Sequence, residues 1–330
     1  MAQDDVVVIL GGAGFIGQAL AARLRGNVRE LRIVSRKVAS QNEPGVRYMS
    51  GDVLDAARML EVIEGATVVY QLTVEGRWTD GARNVADACV RHRVRRLVFA
   101  STSDALNLSR RGTIYETEGP DPRPQARNSY SQGKVASELL LREYAQRDKL
   151  AVVIVRPCLV VGRGGRLAHG GIGRWPTQTT LVAWGDGNNK MPFVLVQDVA
   201  QAMALALDAP GIDGKAFNLA GDVFLSAREY AAIAADRTFR NIRCFPRNLF
   251  TFSATNLVKA KLKGLLTRKK VDYQTYYDVA SSSMRTFVDN SQSKKLLGWK
   301  PNDSLDTFIH EAIDPYVDPL HPDDFRLSRW

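Results

Sequence analysis

Short apolar runs recur along the first half of the chain, separated by amphipathic stretches of helical length. Val6 to Leu10, Leu31 to Ser35, Arg47 to Met49, Thr67 to Leu72, Arg96 to Ala100 and Ala151 to Arg156 are rich in Val, Ile and Leu. Runs this short and this apolar suit strands buried on both faces. Between them Phe15 to Leu24, Ala56 to Ile63, Gly81 to His92 and Ser129 to Arg147 carry helical patterns. The alternation predicts an α/β fold, a Rossmann-type doubly wound parallel sheet with crossover helices. The run Ala216 to Ala220 predicts a late strand, near 215–220, that returns to the same sheet.

After Arg156 the rhythm changes. Residues 162–195 are rich in glycine and short on clear periodicity, and 222–330 read as mixed helix and loop. The expected organisation is a main domain over 1–161, completed by the returning strand, and a smaller, discontinuous mixed domain over 162–330. The smaller part is expected to close over the carboxyl edge of the sheet, where open α/β sheets bind ligands.

Composition narrows the class. A chain of 330 residues with 45% hydrophobic and 24% charged residues has a sizeable core available. No run approaches the roughly 18 apolar residues that span a bilayer, and no basic segment precedes the first apolar run, so a cytosolic protein is expected. Cys89, Cys158 and Cys244 are far apart and lack metal spacing, which predicts buried thiols and no metal site. The net charge of +10 suits an anionic small molecule. No stripe of basic and aromatic residues suggests nucleic acid.

Val6 to Leu10 runs directly into Gly11-Gly12-Ala13-Gly14-Phe15-Ile16-Gly17. Glycines 11, 14 and 17 permit a tight turn, backbone contact with a pyrophosphate, and close packing of the following helix on the sheet. That helix then aims unpaired N–H groups and its positive dipole end at phosphate. This predicts a dinucleotide site, with Phe15 and Ile16 in the same turn. The second strand ends in Ser35-Arg36-Lys37, a hydroxyl and two cations where an acid would take the ribose of NAD. NADP is therefore expected through its 2′-phosphate, with NAD the alternative. Asp52, beside Val53, is positioned after the third strand to accept from the adenine amine.

The pieces together resemble the extended short-chain dehydrogenases/reductases, the group of nucleotide-sugar epimerases, dehydratases and related reductases. The resemblance rests on Gly11 to Gly17, Asp52-Val53, Asn84, Ser101-Thr102, Tyr130-Ser131-Gln132-Gly133-Lys134, Arg156-Pro157, Gly185 to Asn188, Phe193 to Ala200 and Leu296 to Pro301. Tyr130 and Lys134, four apart on a helix, are neighbours on one face. A nearby ammonium is expected to lower the phenol from its usual pKa near 10, so that Tyr130 exchanges a proton with a substrate oxygen. The resemblance implies that Lys134 also holds the nicotinamide ribose, that Thr102 (or Ser103) bonds the substrate oxygen, and that Leu72 and Pro157 border the cofactor. It implies further that Asn84 ties two strands together through its amide, and that the protein forms a homodimer.

The departures fall on the substrate side. Leu106 and Asn107 replace a tyrosine-glycine pair common in the group, Val161 stands where tyrosine is frequent, and the stretch Val74 to Arg83 is short. Where 4,6-dehydratases carry Thr-Asp-Glu, this chain has Thr102-Ser103-Asp104, which argues against dehydration. The expected function is an epimerase or ketone reductase acting on a nucleotide-activated sugar. The alternatives are a dehydrogenase of an apolar alcohol or ketone, sterol- or flavonoid-like, and a non-catalytic NADP-sensing protein. His169 reads as a solvated loop histidine and Asp198 as the cap of a helix over Val199 to Leu207. The run Lys259, Lys261, Lys263, Arg268, Lys269, Lys270 reads as a solvated helix face, with an anionic membrane surface or a diphosphate as the alternative partner.

Overall fold

Residues that are apolar on both faces leave a strand no exposed side, so the central sheet must be covered twice. The computed structural model describes residues 4–37, 43–73, 78–267, 271 and 273–317. Its first half runs β1 (Val6–Leu10), α1 (Phe15–Leu24), β2 (Glu30–Ser35), β3 (Val46–Ser50), α2 (Ala56–Ile63), β4 (Val68–Gln71), α3 (Trp78–Arg91) and β5 (Arg96–Ala100). A short strand β6 (Gly112–Ile114), the long helix α4 (Ser129–Arg147) and β7 (Val152–Pro157) follow. Beyond these come β8 (Leu159–Val161), β9 (Gly173–Thr177), β10 (Thr180–Ala183), β11 (Met191–Leu195), α5 (Val196–Leu205) and β12 (Ala216–Leu219). The remainder includes β13 (Phe224–Leu225), α6 (Ala227–Thr238), β14 (Arg243–Phe245), α7 (Leu249–Thr267), α8 (Tyr276–Ser282) and β15 (Thr286–Val288).

Seven strands form one sheet in the order β12-β7-β5-β4-β1-β2-β3, and its pairings are parallel. The expected doubly wound sheet is therefore present, and the late strand β12 closes its far edge against β7. α1 and α5 cover one face; α2, α3 and α4 cover the other. The strand order reverses at β1, which lies between β2 and β4, so the carboxyl ends of β1 and β4 open the crevice typical of ligand sites in such sheets. Three small sheets lie outside it: β9-β10-β14, β8-β11-β13 and β6-β15. They share a third apolar cluster around Phe193, Tyr230 and Phe308. Among the described residues no helix is long and apolar enough to cross a membrane.

Three expectations change. The helix expected from Val199 begins at Val196, because β11 passes into α5 without a loop and Leu195 takes the capping position. Asp198 thus sits inside the first turn, where its carboxylate accepts from the Asn302 N–H at 3.0 Å and its carbonyl from Trp299 Nε1 at 2.9 Å. It fastens α5 to the 299–302 segment. Asn84 does not bridge two strands: its Nδ2 donates to the Val53 carbonyl at 2.9 Å, tying α3 to the loop after β3. His169 is half-buried rather than solvated; its Nδ1 accepts from the Gly171 N–H at 3.0 Å. Of the short stretch Val74 to Arg83, residues 74–77 lie outside the described residues.

His169 has a measurable consequence. Burial, reinforced by the charge of Arg166, lowers it from 6.5 to about 4. The unfolded chain then binds a proton that the folded chain refuses, so stability present above pH 6.5 is lost as pH falls towards 4. The loss is at most roughly 3 kcal/mol. Thermal melting of the native protein and His169→Gln across that window checks this; parallel curves would remove His169 as the cause.

Candidate active site

The turn after β1 is built as the glycine spacing requires. Gly11 has φ +84° and donates to the Val34 carbonyl at 2.9 Å. A Cβ at Gly17 would stand 2.5 Å from the Gly11 oxygen and 2.7 Å from the Gly12 Cα, so only glycine lets α1 pack this closely. Gly12, absent from the expected set, is equally constrained: a Cβ there would meet Ile33 Cγ2 at 2.8 Å. Gly14 caps α1 with no side-chain bond, and no acid lies in its first turn at Phe15, Ile16 and Gly17. The helix start thus keeps its positive end for an anion. Gly17→Ala is expected to destabilise the fold by about 1–3 kcal/mol through overpacking and to weaken dinucleotide binding. Thermal melting and calorimetric titration check both; an unchanged melting point would contradict the packing argument.

The neighbouring positions are partly engaged. Ser35 donates to the Lys37 carbonyl at 2.5 Å, while Arg36 and Lys37 are exposed. One carboxylate oxygen of Asp52 accepts from the Leu54 N–H at 3.0 Å, and Val53 is buried behind it. Leu72, after β4, donates its N–H to the Leu10 carbonyl, and its own carbonyl carbon faces Gly11 across the crevice.

Tyr130 lies in the first turn of α4, which Asn128 caps by accepting from the Ser131 N–H at 3.0 Å. One turn on, Lys134 is 2% exposed. Its Nζ donates to the Ala100 carbonyl at 2.8 Å and the Thr73 carbonyl at 3.3 Å, and lies 4.9 Å from the centre of the Phe99 ring. Lys134 is thereby pinned to the carboxyl ends of β4 and β5. The Thr102 hydroxyl hydrogen-bonds the Tyr130 phenol and also accepts from the Asp104 N–H at 3.2 Å. Ser103, the alternative, is buried and bonds the Cys158 thiol instead. Pro157 ends β7 beside them, buried. The structure therefore brings Tyr130, Lys134 and Thr102 to one sheet edge, next to the glycine turn.

The electrostatics differ from expectation. Burial first, then the charge of Asp104, push the phenol up to about 12, and the Thr102 bond only partly offsets them. The acidification expected from the amine does not prevail, so Tyr130 holds its proton at neutral pH. Burial likewise raises Asp104, opposed by the Arg127 guanidinium 3.8 Å away. Burial pushes the Cys158 thiol up to about 12, which leaves it inert as a nucleophile.

Two supporting groups were not foreseen. Glu138 continues the Tyr130–Lys134 face by one more turn; it pairs with Arg156 at 2.6 Å, both side chains fully buried, and accepts from the Ser101 hydroxyl at 2.5 Å. The i, i+4, i+8 spacing was the available signal. At the start of α4, Arg127 pairs with Asp121 at 3.3 Å and with Asp278 at 3.2 Å. Asp278, on α8, also accepts from the Asn128 N–H at 3.1 Å, so the late helix clamps the entry to α4. A separation of about 150 residues hid that pair from the sequence. A cavity of about 400 Å³ is lined by Tyr276 of α8 together with Arg247, Arg285, Leu249 and Phe250 among others.

Comparison with known proteins places these features in context. The model of the NAD dependent epimerase/dehydratase family matches residues 7–220. The chain is 24% identical over 339 residues to the low-salt glycan biosynthesis protein Agl12 of Haloferax volcanii, covering 94% of this chain and 98% of that one. It is 28% identical over 261 residues to the 2-alkyl-3-oxoalkanoate reductase of Stenotrophomonas maltophilia, covering 72% and 78%. The fold resembles that of a dTDP-glucose 4,6-dehydratase from Streptomyces venezuelae solved with NAD bound, with a TM-score of 0.72, 20% identity, and coverage of 94% and 96%.

Proposed function

Because the chain belongs to the NAD dependent epimerase/dehydratase family, a family of NAD-dependent enzymes, we propose that it is an epimerase or ketone reductase of a nucleotide-activated sugar. The observation that carries this reading is the meeting of Tyr130, Thr102 and Lys134 at the sheet edge beside the glycine turn. The residues fit a dinucleotide: Gly11 and Gly17 leave a cradle that a Cβ would fill, and the start of α1 has no side-chain cap. Gly11, Gly14, Phe15, Ile16 and Gly17 would hold its pyrophosphate, Asp52 and Val53 its adenine, and Leu72, Pro157 and Lys134 its nicotinamide end. Arg36 and Lys37, exposed after β2, favour NADP; NAD is the alternative.

A dinucleotide held there would supply or accept the hydride. Thr102 orients the reacting oxygen, and Tyr130 exchanges the proton with it. Burial holds the phenol above its ordinary value, which favours proton donation and so suits reduction of a keto carbon. Lys134, fixed by two carbonyls, gives the phenol a stationary neighbour. The part of the chain from 162 onward, apart from the returning strand, would bind substrate. The cavity beside α8 suits the diphosphate of a sugar nucleotide through Arg247 and Arg285.

A second reading rests on the apolar side of the same cavity, Leu249, Phe250 and Tyr276, together with the similarity to an oxoalkanoate reductase. It makes the substrate an apolar ketone. One experiment separates the two: identify the dinucleotide released from the purified protein, then follow NADPH or NADH consumption with keto-sugar nucleotides and with 2-alkyl-3-oxo acids. Turnover only with the oxo acids would replace the sugar reading. Absence of any dinucleotide affinity would remove both.

A further inference from the structure

Helix α7 carries an apolar stripe that the protein does not cover. Val258 is 56% exposed, Leu262 56%, Leu265 78% and Leu266 87%. Their spacing of i, i+4, i+7 and i+8 places them on one face. On the opposite side Ala260 is buried against the protein, with Leu257 and Gly264 half-buried. The stripe is therefore not a core face that slipped outward; the core side of this helix is a separate row. Singly scattered surface leucines need no account, but four large aliphatic side chains in one row do.

The lysines decide what covers it. At 100° per residue, Lys261 flanks the stripe on one side, while Lys259 and Lys263 flank it on the other. All three are exposed. Leu249–Thr267 contains no acidic residue, and the whole chain carries a net charge of +10. A two-fold pairing of this helix with its copy would set lysines against lysines. An anionic lipid surface matches both features: the leucines enter the acyl boundary while the lysine stems reach up to the headgroups. The solvated face expected from the sequence accounts for the lysines but not for the leucines. The continuation Arg268, Lys269 and Lys270 lies outside the described residues.

We propose that the exposed stripe of α7, bordered by Lys259, Lys261 and Lys263, docks this protein peripherally on an anionic lipid bilayer. The helix lies in the plane of the interface and does not span it. The docking is independent of the catalytic reading, since none of these side chains belongs to the candidate active site.

The test is co-sedimentation of the full chain with vesicles of phosphatidylcholine, with and without phosphatidylglycerol, at low and high salt. Binding is expected only with phosphatidylglycerol, weakening as salt rises. Each lysine replaced by glutamine should lower binding about fivefold. Leu265→Asp and Leu266→Asp should each lower it roughly tenfold or more, with the melting temperature kept. Equal binding to both vesicle types, or none, overturns the proposal. So does a concentration-dependent dimer that the Leu265→Asp and Leu266→Asp variants make monomeric, because the stripe would then belong to a second copy. The triple variant of Lys259, Lys261 and Lys263 to glutamine leaves the apolar row intact and keeps the test decisive if the leucine variants misfold.

Discussion

Tyr130→Phe is expected to lower kcat by about 10²–10⁴-fold while leaving dinucleotide affinity nearly unchanged. The substitution keeps the ring and its packing at the start of α4 and removes only the hydroxyl that Thr102 bonds. Lys134 keeps its bonds to the carbonyls of Ala100 and Thr73, which hold the dinucleotide end of the site. The pH profile sharpens the expectation. With the phenol pushed up to about 12, the proton needed for reduction is present throughout the neutral range. Reduction should be flat there and fall only as alkaline pH strips the proton, whereas the reverse oxidation should rise with pH. Thr102→Val removes a bond that lowers the phenol and should move both limbs of that profile to higher pH. Steady-state kinetics in both directions reads all three variables. A Tyr130→Phe enzyme within a few-fold of the native rate would sink the assignment of the proton to this residue.

What the sequence disclosed follows the range of the forces involved. β1 and β5 are buried on both faces, so these strands and the helices α1, α2 and α4 stand where local pattern alone puts them. The glycine turn was legible for the same reason: Gly11, Gly14 and Gly17 report a local steric demand. The small sheets were not. β9 contains Gly173, where a Cβ would stand 2.5 Å from the Val182 carbonyl, so a glycine that reads as loop is in fact a strand residue pressed against its partner. β11 runs into α5 without turn residues, which shifted the helix start and gave Asp198 a different task. The site shows the same division. Tyr130 and Lys134 share a helix face and are legible from spacing, but the state of the phenol is not. Its environment depends on Asp104 and on burial, neither visible along the chain. Arg127 and Asp278 meet only after folding, and no local signal joins them.

Glu138→Ala is expected to cost about 3–5 kcal/mol of stability, a large share of the 5–15 kcal/mol typical of a folded domain. Glu138 and Arg156 are both fully buried, joined at 2.6 and 3.0 Å, and the remaining guanidinium nitrogen Nη1 donates to the Glu118 carbonyl at 3.0 Å. Removing the carboxylate leaves a buried cation beside Arg142, whose own charge the same burial already disfavours. It also frees the Ser101 hydroxyl, one residue before Thr102. The damage therefore has two parts that can be separated. Glu138→Leu combined with Arg156→Met replaces the pair by apolar side chains and should recover most of the stability. It should not recover turnover, because Ser101 and the Tyr130–Lys134 face lose the partner that fixes them against β5 and β7. Urea unfolding gives the first quantity and kcat the second. If Glu138→Ala unfolds at the native urea midpoint, the pair does not hold α4 in place. If the double variant turns over at the native rate, the positioning role belongs elsewhere on the helix.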